Sequence, residues 1–187
     1  MAYGAPRPVR LSPASSGIAW PVAIRAILLV AIPAGILSAI AVLYWGWCMW
    51  VVGGAMLVVV LYRRRAPGFL LDTRSGLRIG ALYGLIAAYT SVAATAVARI
   101  FARFVLHQGA SIDDVYSKAI AQAALLVQSN PDAQAEWRLY THFLLTPEGK
   151  AAFTLMNSAT TAVGIILFST LGGALGVRFL KPRKVAR

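Results

Sequence analysis

The 37 residues from Ala26 to Tyr62 contain no ionisable side chain other than Tyr44, Cys48 and Tyr62. As one helix this run would measure about 55 Å, nearly twice the hydrocarbon thickness of a bilayer, about 30 Å. It must therefore fold back on itself. The stretch "VLYWGWCMWVVGG" (42–54) marks where, because Tyr44, Trp45, Trp47 and Trp50 crowd around Gly46. Tryptophan and tyrosine favour the headgroup level, where the ring is half buried and its polar atom stays wet, so these four read as interface anchors with Gly46 as the turn. The first span is then about 22–44, with Trp20 at its opposite interface. The second, about 48–62, is short and is extended by Arg63, Arg64 and Arg65, whose guanidinium groups snorkel to the far surface.

The remainder follows the same logic. Hydrophobic side chains make up 59% of the chain and mean hydropathy is +0.69, against about 45–50% apolar residues in soluble domains. A third uncharged run, about 79–98, continues as the helical "RIFARFVLH" to a break at Gly109. Ser111 followed by Asp114 then resembles a capping box, opening an amphipathic helix over about 112–128 that carries Ile112, Val115, Tyr116, Ala119 and Ile120 at helical spacing. Pro131 suits the first position of a second helix, to about 145, with Trp137, Tyr140 and Leu144 on one stripe. "TPEG" (146–149) repeats the start signal, and a last span runs over about 158–180. Residues 1–17, rich in Pro, Ser and Gly, read as a mobile cytoplasmic tail. The expected fold class is all-α: one polytopic membrane domain over 18–187, with four transmembrane helices and an outer-side amphipathic helical segment at 106–150.

Sorting charges by side orients this plan. The termini and the loop between the second and third spans carry thirteen cations, among them Arg25, Arg74, Arg78, Arg178 and Lys181, against Asp72 alone. The other side carries five cations and five carboxylates, so the whole net charge of +12 lies on one side. Positive-inside orientation puts both termini in the cytoplasm of a bacterial inner (plasma) membrane and 106–150 outside. The basic residues flank span ends, where they meet anionic lipid headgroups, and no folded basic domain offers a grip on nucleic acid. Arg99 and Arg103 depart from the rule; they are open to lipid phosphates, to Asp113 and Asp114, or to simple snorkelling. A cleaved signal peptide ending near "SAIA" (38–41) competes with an uncleaved first span, but the apolar run before it exceeds a signal core of about 7–15 residues.

Chemistry is sparse. No Asp, Glu, Lys, Arg or His lies near a span centre, which disfavours proton relays, ion-coupled carriers and intramembrane proteases. Cys48 would need a histidine or a positive field to become a thiolate, and His107 and His142 are far away in sequence. The acids and histidines of the outer segment match no metal-ligand spacing, so no catalytic, cofactor or metal site is expected. The clearest motif is small residues four apart: Ala31, Gly35 and Ala39 in the first span, Gly76, Gly80, Gly84 and Ala88 in the third, Gly172 and Gly176 in the fourth. Such faces let helices approach to backbone contact, within one chain or between subunits. Pro33 is expected to kink the first span, with Ser38 or a neighbour satisfying the freed backbone.

The segments "RSGLRIGALYGLIAA" and "LTPEGKAAFTLMNSATTAVGIILFSTLGGALGVRFLKPRK" give the last 115 residues a resemblance to small uncharacterised four-span bacterial inner-membrane proteins, some of which begin with a zinc ribbon. One cysteine cannot make that ribbon, and the resemblance implies membrane location without an activity. The function expected is that of a non-enzymatic accessory, scaffold or assembly subunit, partnered by another protein or by its own copies through the small-residue faces. The alternative is an oligomeric pore or facilitator lined by Thr90, Ser91, Thr95, Thr160 and Thr161.

Overall fold

A computed structural model describes residues 18–39, 46–67, 71–127 and 131–180. The described residues form six helices and no strand: α1 (Trp20–Ser38), α2 (Trp47–Arg65), α3 (Thr73–Phe104), α4 (Gly109–Val127), α5 (Pro131–Leu144) and α6 (Pro147–Leu180). Three of them, α1, α3 and α6, are long and apolar enough to cross a membrane. The fourth bundle helix, α2, ends in Arg63, Arg64 and Arg65. The tail 1–17, the anchors Tyr44 and Trp45, and the closing 181–187 lie outside the described residues.

Helix starts are set by local chemistry. Asp72 caps α3, its Oδ1 accepting the Ser75 N–H at 2.8 Å. That hydrogen bond holds the Asp72 carboxyl below its ordinary value, with the Arg74 charge adding to the effect. Thr146 caps α6, its hydroxyl oxygen accepting the Gly149 N–H at 3.1 Å, and Pro147 follows at the first helical position. At α1 no side chain caps the first turn; the Ala19 N–H instead donates to Tyr62 Oη at 2.9 Å, which pins the start of α1 to the end of α2.

Two expected breaks move. Gly46 is the N-cap of α2 with a φ of −94°, a conformation open to any residue, so no glycine-specific turn occurs there. The chain leaves α3 at His107, whose φ is +55°, and not at Gly109, which is already the first residue of α4. Histidine is among the side chains that tolerate this left-handed region. The reversal also satisfies the helix end, because Leu106 and Gln108 N–H groups reach the Phe101 and Ala102 carbonyls at 3.2 and 3.0 Å. Ser111 is consequently inside α4 and caps nothing.

Helices α1, α2, α3 and α6 pack as an up-and-down bundle. The α3 and α6 helices run antiparallel, with Gly76 against Gly173 and Val177, Gly80 against Ser169 and Gly173, and Gly84 against Ile166 and Ser169. At these points a Cβ would collide with backbone of the opposing helix, so glycine fixes the separation. Helix α6 lies alongside α2 in the same direction, with Gly172 on Val52 and Ala55 and Gly176 on Met56 and Val59. Gly35 of α1 meets Ala87, Thr90 and Ser91 of α3. The core between them is apolar, centred on Ile27, Val58, Val59, Ile79, Tyr83 and Ile165.

This topology gathers Arg63, Arg64, Arg65, Asp72, Arg74, Arg78 and Arg178 at one end of the bundle, and Arg99, Arg103, Lys150 and the α4–α5 segment at the other. The outward side of α6 is a stripe of exposed Val163, Leu167, Leu171 and Leu175, and α1 and α3 expose Leu29, Ile32, Leu85 and Tyr89. An apolar girdle of this extent is what acyl chains solvate and water does not.

Candidate functional site

At the end of the bundle opposite Arg63–Arg65, four charged residues converge on one cleft, between the end of α3, the start of α4 and the first turns of α6. Arg99 and Arg103 stand one helical turn apart on α3. The His107 reversal folds α4 back so that Asp113 reaches Arg103, Nη2 to Oδ2 at 3.8 Å. Lys150 approaches the same carboxylate from α6, Nζ to Oδ1 at 3.4 Å. Two adjoining cavities of about 490 and 640 Å³ share Arg99, Arg103, Asp113, Lys150 and Thr154 in their walls, within the range of small-ligand sites.

Tyr116 organises the back of this cleft. Its hydroxyl donates to the Leu144 carbonyl at 2.8 Å, tying α4 to the last residue of α5. Its ring meets Phe153 edge-on at 5.5 Å between centroids, and Lys150 Nζ lies 5.8 Å from its centre. Desolvation raises the phenol above its ordinary value. Asp114 pairs instead with Lys118 one turn along α4, at 2.7 Å on the exposed surface. Of the two acids expected near Arg99 and Arg103, the cleft therefore takes only Asp113.

The cavity walls contain three cations and one carboxylate, and that carboxylate is shared between Arg103 and Lys150. Among the described residues Arg99 has no ion-pair partner. The cleft therefore carries an excess of positive charge. Among the described residues no three His, Cys, Asp or Glu side chains gather as metal ligands.

The other residues singled out by sequence fall elsewhere. Trp20 and Trp50 are partly exposed in the first turns of α1 and α2, hence at opposite ends of the bundle; the Trp47 side chain lies outside the described set. Cys48 is exposed in the first turn of α2. Among the small residues, Ala31, Gly35, Gly76, Gly80, Gly84, Ala88, Gly172 and Gly176 are buried against neighbouring helices of this chain, whereas Ala39 is half-buried at the end of α1. The hydroxyls of Thr90, Thr160 and Thr161 each donate to the carbonyl four residues back in their own helix, at 2.8 to 2.9 Å. Ser38 likewise bonds Ala34 O at 2.8 Å, so it does not serve the Leu29 carbonyl that Pro33 leaves without its amide.

Sequence reasoning passed over several residues that matter. Lys150 counted only as one of the outer charges, and Phe153 and Tyr116 only as apolar positions. Gly54 faces Tyr83, whose hydroxyl donates to the Trp50 carbonyl at 3.1 Å, and Gly173 meets both Gly76 and Gly80. The doubled glycines at 53–54 and 172–173 were the available signal, since adjacent helical residues point to different neighbours. No family model, curated protein or solved structure matches the chain.

Proposed function

We propose that this chain is a four-span, non-enzymatic integral membrane protein of a bacterial inner membrane, with both termini in the cytoplasm, acting as an accessory, scaffold or assembly subunit. In this reading α2 is the short fourth span, completed at one end by its arginines, and α4–α5 is an outer amphipathic segment presented to a partner or to the lipid surface. The observation that carries the reading is how the two parts are built. The bundle closes on itself through its glycine faces, with apolar and small residues filling its interior. By contrast α4–α5 docks only at its edges and leaves Leu125, Tyr140 and Phe143 exposed. The bundle is a rigid platform and the segment is its accessible face.

The pore alternative draws less support, because Ser91 is buried, Thr160 is exposed, and three of the expected lining threonines already spend their hydroxyls on their own helices. The accessory role is tested by placing a photocrosslinker at Tyr140, 61% exposed, in living cells. A discrete crosslinked neighbour is expected; a protein that crosslinks to nothing and purifies from mild detergent as a lone monomer contradicts the role.

A further inference from the structure

We infer that the α3–α4–α6 cleft is a binding site for a phosphoryl anion, with Arg99, Arg103 and Lys150 as its ligands and Asp113 as a built-in counter-charge. The inference goes beyond the accessory role, since it needs membrane embedding but no protein partner. Two helices far apart in sequence, α3 with Arg99 and Arg103 and α6 with Lys150, supply the cations, and nothing in helix formation requires them to meet. Placing like charges around one cavity is unfavourable unless an anion compensates them. Asp113 compensates only in part: it is the one carboxylate in the walls of both cavities, and it is divided between Arg103 and Lys150 at 3.8 and 3.4 Å. Arg99, the cation nearest the apolar end of the cleft, has no such partner among the described residues.

The cleft is also two-ended. One end carries the cations together with Thr154 and Asn157, which supply hydroxyl and amide donors of the kind that complete a phosphate's hydrogen bonds. The other runs down between α3 and α6 past Val92, Ala96 and Leu155, and Leu155 is 71% exposed to the surroundings of the bundle. Arginine forks match phosphate oxygens in pairs, and a lysine serves as a point charge beside them. A phosphoryl group at the charged end with an acyl chain along the apolar wall satisfies both ends at once. A free phosphate satisfies only the first.

The test uses the full-length protein in detergent and native mass spectrometry, with phosphatidylglycerol as the anionic lipid, phosphatidylcholine as the net-neutral control and inorganic phosphate as competitor. Wild type is expected to retain phosphatidylglycerol over phosphatidylcholine by about thirtyfold, as two uncompensated cations near a headgroup imply. Arg99→Gln with Lys150→Gln should bring that preference close to parity. Arg99→Gln alone, at a residue without an ion-pair partner among the described residues, should lower it while leaving thermal unfolding unchanged. Asp113→Asn should leave the preference equal or raise it, since the competing carboxylate is gone. Displacement of the lipid by millimolar inorganic phosphate assigns the site to free phosphate; persistence of the lipid assigns it to the headgroup. The inference is overturned if the double variant keeps the wild-type preference, or if Asp113→Asn lowers it as far as Arg99→Gln does, which would make the cluster a structural ion network. A protein lacking the proposed accessory role would still show the lipid preference, so the two can fail separately.

Discussion

The bundle and the α4–α5 segment are held together by different physics. In the bundle the closest contacts are backbone on backbone, at Gly76, Gly80, Gly173 and Gly172, because lipid tails are as apolar as leucine and burial of apolar surface gives little drive. The segment is tethered chiefly by polar and aromatic side chains, the Tyr116 hydroxyl on Leu144, its ring on Phe153 and the shared Asp113 carboxylate, with one glycine contact, Gly149 on the Phe143 and Leu144 backbone, at the α5–α6 turn. Close packing makes the bundle intolerant of added atoms. Side-chain tethers make the segment sensitive to removed ones.

The largest effect should appear when atoms are added at a glycine contact of the bundle. Gly80→Leu drives a side chain into the Ser169 carbonyl and is expected to cost about 3 kcal/mol or more in reversible unfolding from detergent. The control is Gly53→Ala, where a Cβ meets open space; there the gain in helix propensity should leave stability unchanged or raise it by up to about 1 kcal/mol. Equal losses at the two sites would break the claim that glycine contacts close the bundle.

Removing atoms should be milder in the bundle. Tyr83→Phe deletes the hydrogen bond to the Trp50 carbonyl and should cost about 1 kcal/mol in the same unfolding measurement. In the segment, Tyr116→Ala removes the tether, the aromatic pair and the surface under Lys150. Amide exchange of α4 should accelerate by about tenfold while α3 and α6 keep their protection. Acceleration throughout the bundle would show that the two regions are one cooperative unit.

The smallest effect is confined to acid. The Asp72 carboxyl is held below its ordinary value of 3.8 in the folded chain. Its contribution is therefore fully present above that value and is lost as pH falls through the lowered one. Thermal unfolding of Asp72→Ala should thus differ from wild type at neutral pH and converge with it in strong acid. A difference that persists unchanged in acid would assign the loss to something other than the cap.

The sequence reveals the three long apolar helices and the charge asymmetry because both are one-dimensional: uncharged runs have a length, and their flanks have a sign. Charges sorted by loop in the sequence lie at opposite ends of the bundle for the same reason. Small-residue faces were also readable from four-residue spacing. Which neighbour each face meets was not, since Gly172 turns to α2 while Gly173 turns to α3, and spacing is blind to that choice. The break after α3 is read two residues late, at Gly109, because glycine is the stronger punctuation, yet His107 carries the left-handed turn. That turn decides whether Asp113 faces Arg103. The cleft was therefore legible only in its parts: Arg99 and Arg103 as an exception to the positive-inside pattern, and Lys150 only as one of the outer charges, since it joins them only once the helices have packed.

The central claim is that the Arg63–Arg65 end and the α4–α5 end lie on opposite sides of the membrane, the second one outside. Cys48, the chain's single cysteine, is exposed in the first turn of α2 at the α4–α5 end. A membrane-impermeant maleimide should label it in intact spheroplasts and fail to label it in sealed inside-out vesicles. Labelling in the inside-out vesicles alone would contradict the orientation and place the cationic cleft in the cytoplasm.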